Sequence, residues 1–357
     1  LEFAVIMSGG SGRRFWPLSR AARAKQLIRL IDGKTLLELT VERVMPLFPP
    51  ENIIVVTEGR QYAETSRVLE RFAGIRILSE PASRNTAACI AYAATFITAT
   101  EEDAVLSVLP ADHFIAAEDR FREVLAAGMD FVGRTGNHLT LGIKPDRPAT
   151  GFGYIKRGSR VAQHGDLEFF SVTAFTEKPS LETARAYLET GDYLWNAGIF
   201  VFRASSIIGE IQEHLPDIAR EFDTLRGDFG TSDEAGLLAA CYANLPNVSI
   251  DYGVMEHTDK ACVVPVEIGW DDVGNWDSFA QYMTKDEMGN AVQGDHLGID
   301  TRGCVIYSDK QLVGTLGVSG IIVIATDDAV LVMRREKGEE VKQLVTRLEE
   351  EGLSDLL

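Results

Sequence analysis

Phe3-Ala4-Val5-Ile6-Met7-Ser8-Gly9-Gly10-Ser11-Gly12-Arg13-Arg14-Phe15-Trp16-Pro17-Leu18 is an apolar run that empties into glycines and then cations, with Lys25 following. An apolar run of this kind reads as a strand covered by helices on both faces. Glycines at 9, 10 and 12 let the backbone turn tightly and bring its N–H groups against phosphate oxygens. The arginines and Lys25 can neutralise the remaining charge. This stretch predicts an α/β fold whose first strand delivers a polyphosphate-binding loop, and hence a chain that handles a nucleotide and transfers part of it.

Two familiar nucleotide loops are excluded. Gly10 and Gly12 begin a G-x-G-x-x-G fingerprint, but Phe15 stands at the third glycine position and Pro17 follows. Gly33-Lys34-Thr35 resembles the end of a G-x-x-x-x-G-K-[ST] loop, but Ile28 stands where its first glycine belongs. Asp32-Gly33 instead reads as a turn, with Thr35 and Glu38 as the capping box of the next helix.

Composition narrows the partners. The chain has 357 residues, enough for one large core and a smaller appendage, and a formal net charge of −18. Such an acidic surface argues against nucleic acid, so the basic cluster near the N-terminus is suited to a small anion. Cys89, Cys241, Cys262 and Cys304 lack C-x-x-C spacing, which indicates neither zinc nor a disulfide framework and fits a reducing cytoplasm. No apolar run is long enough to span a membrane, and no charged leader precedes the first strand.

Strands are expected at Phe3–Met7, 52–57, 75–78, 104–109 and 138–142, alternating with helices at 35–45, 61–72, 85–98 and 119–132. This alternation predicts a Rossmann-like, mostly parallel sheet. Further strands are expected at 152–156, 169–177, 199–202 and 261–268, with a helix at 181–190 and a helical region at 205–225 interrupted by Pro216. The polar segment 285–296 reads as a linker, dividing a catalytic domain at 1–285 from a small β domain at 286–357. That β domain is expected to be closed by an amphipathic helix carrying Val341, Leu344, Val345 and Leu348, and to have no part in the chemistry.

Two acidic strand ends stand out, Leu109-Pro110-Ala111-Asp112-His113 and Asp271-Asp272. Ligands of open α/β sheets bind beyond the carboxyl ends of the strands, so Asp112 and Asp272 are candidate ligands for Mg²⁺, a hard cation that prefers oxygen. His113 reads as structural, because a nucleophile that is already ionised needs no general base. In Phe175-Thr176-Glu177-Lys178-Pro179, Lys178 can grip a sugar phosphate and Glu177 its hydroxyls. Gly153 permits close approach of backbone to a ligand, and Asn196 offers an amide for hydroxyls. Glu80, a carboxylate acceptor, suits the N1–H and N2–H donors of guanine, with Asn85 and Thr86 nearby.

Taken in order, these segments resemble the sugar-1-phosphate nucleotidyltransferases, and among them the mannose-1-phosphate guanylyltransferases (GDP-mannose pyrophosphorylases). The resemblance is carried by Gly9–Leu18, Lys25-Gln26, Glu80-Pro81, Arg84-Asn85-Thr86-Ala87, Leu109–His113, 150–155, 177–179, 195–200, 249–252, Glu256 and 269–276. It implies GTP and mannose 1-phosphate as substrates and Mg²⁺ as cofactor. Arg14 and Lys25 would then act on the triphosphate, Asp112 and Asp272 on the metal, and Lys178 on the sugar phosphate. Gly153, Glu177 and Asn196 would line the sugar pocket, and the C-terminal piece would be a partial β-helix. Arg13 replaces the Thr or Ser usual in that family, an extra cation without an assigned target. A homodimer is admitted but not required. Two alternatives stay open: another nucleotide or hexose 1-phosphate, or a silent regulatory subunit that binds a sugar nucleotide.

Overall fold

The structure, a computed structural model, describes every residue except Ser11 and Asp32, so the aspartate of the expected 32–33 turn lies outside the described residues. Nine strands build the central sheet: β1 (Glu2–Ser8), β2 (Ile53–Glu58), β3 (Arg76–Glu80), β4 (Val105–Pro110), β5 (His138–Ile143), β6 (Tyr154–His164), β7 (Leu167–Thr176), β8 (Tyr193–Arg203) and β9 (Ala261–Val266). Their order is β3-β2-β1-β4-β8-β5-β9-β7-β6. Strands β3, β2, β1 and β4 are mutually parallel, as are β5 and β9, whereas β8 runs antiparallel to both β4 and β5.

Both faces of β1 are covered, which explains its unbroken apolar run. Phe3 and Val5 enter the core beneath helix Asn85–Thr98, while Ala4 and Ile6 enter the opposite core with helices Leu36–Val44 and Glu118–Thr135. At the start of helix Leu36–Val44 the expected capping box is present: the Glu38 amide donates to Thr35 Oγ1 (3.0 Å) and the Thr35 amide to Glu38 Oε2 (2.8 Å). Pro216 separates helices Ala204–His214 and Pro216–Asp223, as its missing N–H requires.

Three expectations change. The strand placed at 199–202 begins at Tyr193, because Tyr193–Trp195 pairs with β6 and Trp195 and Asn196 pair with β5. Helix Glu234–Asn244 has no counterpart among the expected helices. The segment 285–296, expected as a linker, carries a strand, Ala291–Gln293, which pairs in parallel with Val305–Ser308. That strand belongs to a four-stranded sheet with Ile321–Ala325 and Val330–Arg334, beside a parallel pair formed by His296–Ile299 and Val313–Leu316. Parallel rungs at such short spacing give the C-terminal part its β-helix-like character.

This C-terminal part packs directly against the glycine loop. Its Val305, Tyr307, Ile322, Ile324, Val341 and Val345 share one core with Phe15, Trp16 and Leu18 of the glycine loop and with Trp276 and Phe279. The Trp16 indole N–H donates to the Leu356 carbonyl at 2.8 Å.

Candidate active site

The parallel strands end on one edge of the sheet, and their loops build the site there. Beyond β1, Gly10 and Gly12 adopt φ of 93° and 58°, a region where only glycine is unstrained. Gly12 has a second reason to lack a side chain. A Cβ there would lie 2.7 Å from both the Cβ and the amide nitrogen of Lys25. Two buried glutamines brace the loop. Gln26 Nε2 donates to the Ser8 carbonyl (3.1 Å) and to Gln61 Oε1 (3.2 Å), and Gln61 Nε2 donates to the Gly10 carbonyl (3.0 Å).

A cavity of about 330 Å³ opens against this loop, lined by Gly12, Arg14, Lys25, Asp112, Asp272 and their neighbours. Residues far apart in the chain therefore meet: Asp112 follows β4, and Asp272 follows β9. Lys25, only 5% exposed, joins them. Its ammonium lies 2.7 Å from Asp112 Oδ2 and donates to the carbonyls of Asp272 (2.8 Å) and Val273 (3.1 Å). All three N–H bonds of the amine are occupied in this state.

The two carboxyls are tuned apart. Burial alone would raise Asp112, but the Lys25 ammonium beside it holds it below its ordinary value. Burial pushes Asp272 up to about 6, with Lys25 opposing and Asp271 and Asp112 adding to the rise. A buried carboxyl raised in this way gains most from a nearby cation. Among the described residues no third His, Cys, Asp or Glu completes a closed metal cage. Two carboxylates, with water and substrate phosphate, are nevertheless a donor set that suits Mg²⁺. His113 is neutral, pushed down to about 4 by burial, and its Nδ1 accepts from the Trp270 indole N–H at 3.1 Å. It props the aspartate loop.

The arginines of the loop point toward the C-terminal part. Arg14 Nε pairs with Glu339 at 2.9 Å, and Arg13 pairs with Glu349. Arg13 thereby has the partner that sequence reasoning could not assign.

A second group assembles around Gly153. A Cβ there would lie 2.4 Å from Glu177 Oε2 and 3.3 Å from the Asn196 side chain, so glycine lets those residues close together. Glu177 Oε1 pairs with Lys178 at 2.6 Å, and the Glu177 amide donates to Glu256 at 3.0 Å. Asn196 is a hub: its Oδ1 accepts from Thr140 (2.8 Å) and from the Gly198 amide (3.2 Å), and its Nδ2 donates to Asp251 (2.8 Å). Burial, with Glu177 adding, pushes Asp251 up to about 6. Sequence reasoning counts the 249–252 segment toward the resemblance but gives Asp251 no role, because its contact with Asn196 is made only in the folded chain.

A third set lies where β3 ends: Glu80 is its last residue, and Asn85 and Thr86 open the helix that follows. Glu80 is buried, accepts from Tyr242 at 3.0 Å, and is pushed up to about 7 by burial. Asn85 closes its own turn by accepting from the Thr86 amide (2.9 Å), and Thr86 Oγ1 accepts from the Ile250 amide (2.9 Å). The third group thereby connects to the Asp251 segment of the second. Gly198 adjoins Pro110 and His113 and so connects the second group to the first. A larger hollow of about 670 Å³, lined by Lys144, Arg157, Asp192 and Glu267 among others, shares no residue with the glycine-loop cavity.

Comparison with known proteins identifies the family. Residues 3–289 match the family described as nucleotidyl transferase, and residues 294–348 match the mannose-phosphate isomerase/GMP-like β-helix domain. The chain is 39% identical over 360 residues to the mannose-1-phosphate guanylyltransferase ManC of Salmonella typhimurium, covering 98% of this chain and 74% of that protein. It is 38% identical over 360 residues to the mannose-1-phosphate guanylyltransferase of Escherichia coli K12, with the same two coverages. Among solved structures, one described as a mannose-1-phosphate geranyltransferase from Thermus thermophilus superposes with a TM-score of 0.86 at 38% identity, covering 98% of this chain and 99% of that one. No helix among the described residues is long and apolar enough to cross a membrane.

Proposed function

Because this chain belongs to the nucleotidyl transferase family, we propose that it transfers the guanylyl group of GTP to mannose 1-phosphate, forming GDP-mannose and releasing pyrophosphate. The observation that carries this reading is the meeting of Asp112 and Asp272 with the glycine loop in one cavity, joined through Lys25.

In this reading an anionic phosphate oxygen of mannose 1-phosphate attacks the α-phosphorus of GTP. The bond from that phosphorus to the bridging oxygen breaks, and its electron pair leaves with pyrophosphate. No proton has to move and no covalent enzyme intermediate forms. The protein contributes position and charge. The N–H groups of the glycine loop and Arg14 hold the triphosphate. Lys25 can exchange the Asp112 carboxylate for a phosphate oxygen, since both are anionic acceptors within reach of one ammonium. Asp112 and Asp272 would hold Mg²⁺, which offsets the repulsion between the phosphates of the two substrates when bound. Lys178 holds the sugar phosphate, while Glu177 and the remaining Asn196 N–H face the hexose hydroxyls across Gly153. Glu80, with Asn85 and Thr86 just beyond the same strand end, presents its second oxygen to the guanine edge once it has given up its proton. Four buried, unpaired cysteines support a reducing, cytoplasmic setting.

A pyrophosphate-release assay across GTP, ATP, UTP and dTTP, each with mannose 1-phosphate or glucose 1-phosphate, tests the reading. The expected result is fastest release from GTP with mannose 1-phosphate, and loss of most of that rate in Asp112→Ala and Asp272→Ala variants that fold normally. Undiminished turnover in either variant would remove the metal assignment. Equal rates with GTP and inosine triphosphate in both wild type and Glu80→Gln would remove Glu80 from base recognition.

A further inference from the structure

One cation in the glycine-loop cavity comes from outside the nucleotidyl transferase segment. Lys342, in the first turn of the C-terminal helix Val341–Glu350, lines the same cavity as Arg14, Lys25, Asp112 and Asp272. We propose that Lys342 is a phosphate-binding residue of this site, contacting the β- and γ-phosphates of the nucleotide and the pyrophosphate they become. The proposal rests on the nucleotidyl-transfer reading above.

Three observations carry it. First, the other cations at the cavity already have protein acceptors. Lys25 has Asp112 and two carbonyls, Arg14 has Glu339, and Arg13 has Glu349. Lys342 is exposed and, among the described residues, makes no ion pair, although it shares the cavity wall with Asp112 and Asp272. An unpaired ammonium on the wall of an anion site is available without first breaking an ion pair. Second, its backbone is fixed. Val341 and Val345 on either side are buried in the core that also holds Phe15 and Trp16 of the glycine loop. Glu339 accepts from Asn275 Nδ2 at 3.0 Å, and the backbone at Gly338 lies against Asn275. Helix and loop therefore keep one geometry, so little ordering is needed when a phosphate arrives. Third, the charge balance calls for it. A triphosphate brings several negative charges to a cavity that already contains Asp112 and Asp272, and each further cation on the wall offsets part of that repulsion.

Lys342→Ala, Lys342→Glu and Lys342→Arg test the assignment by steady-state kinetics and by calorimetric titration with inorganic pyrophosphate in the presence of Mg²⁺. With alanine the KM for GTP is expected to rise about tenfold and pyrophosphate binding to weaken by a similar factor, the loss of one charge-assisted contact. Glutamate should be worse, arginine close to wild type, and the KM for mannose 1-phosphate and the melting temperature nearly unchanged. GTP KM and pyrophosphate affinity that stay at wild-type values in both the alanine and the glutamate variants would overturn the proposal. Should the wild-type chain release no pyrophosphate from GTP and mannose 1-phosphate, the functional reading fails, and the pyrophosphate titration still decides Lys342.

Discussion

Gly12 shows how much a single position can fix. Its left-handed backbone and its approach to Lys25 leave no room for a methyl group. Gly12→Ala must therefore shift the loop, the lysine, or both, and the expected outcome is a loss of about 1–3 kcal/mol in stability with most of the activity. Urea denaturation alongside the pyrophosphate assay checks both. Glu80 gives a pH prediction. Its folded-state pKa of about 7 lies above the ordinary value of 4.5, so near neutrality the folded chain holds a proton that the unfolded chain has released. The cost of burying Glu80 is absent below pH 4.5, grows as pH rises towards 7, and is fully present above it. Glu80→Gln retains an acceptor for Tyr242, and it should stabilise the chain at about pH 8 by up to about 3 kcal/mol while leaving stability at about pH 4 unaltered. A pH-independent difference between the two proteins would contradict this. At this scale the placement of the strand-end acids is legible, because Asp112 and Asp272 follow apolar strands whose ends lie beside the glycine loop, and both line its cavity. Gln26, Gln61 and Lys342 are not. Their roles depend on which backbone groups lie beside them, and nothing in their sequence neighbourhood states that.

Elements are legible where local chemistry marks their ends. Helix Asn85–Thr98 and helix Leu181–Thr190 start and stop where their patterns do, the second capped by Ser180 and closed by Gly191 in the left-handed conformation. The capping box on helix Leu36–Val44 is of the same kind, and Thr35→Ala should cost about 1 kcal/mol, measurable as a shift of the urea midpoint at constant slope. Helix Glu234–Asn244 is hidden because its alanines and leucines occur on every side and leave no stripe to read. The strand at Ala291–Gln293 is hidden for a different reason. Its three residues sit in a polar, glycine-bearing segment and are held by a non-local parallel partner. Local pattern does not encode a rung whose pairing closes only after a full coil of chain.

For the whole molecule, the joint core of the glycine loop and the C-terminal strands decides behaviour. Trp16 and Trp276 both lie in it, so their fluorescence reports the site and the C-terminal part together. Thermal unfolding is expected to be one transition, with tryptophan fluorescence and far-ultraviolet circular dichroism coincident. Two separated transitions would show that the C-terminal part melts on its own. For the same reason Val345→Asp, which places a charge among Phe15, Trp16 and Val341, should lower GTP affinity as well as stability. Sequence reasoning assigns this part no chemical role, because an amphipathic helix announces only that one face is covered. It does not say by what.

The hydrogen bond from Trp16 to the carbonyl of Leu356 joins positions 340 residues apart. On the ribosome, the glycine loop thus emerges long before the groups that complete it. While translation continues, Phe15 and Trp16 lack the neighbours that will enclose them. The nascent protein therefore has a nearly finished sheet but an unfinished nucleotide cradle until helix Val341–Glu350 has left the exit tunnel.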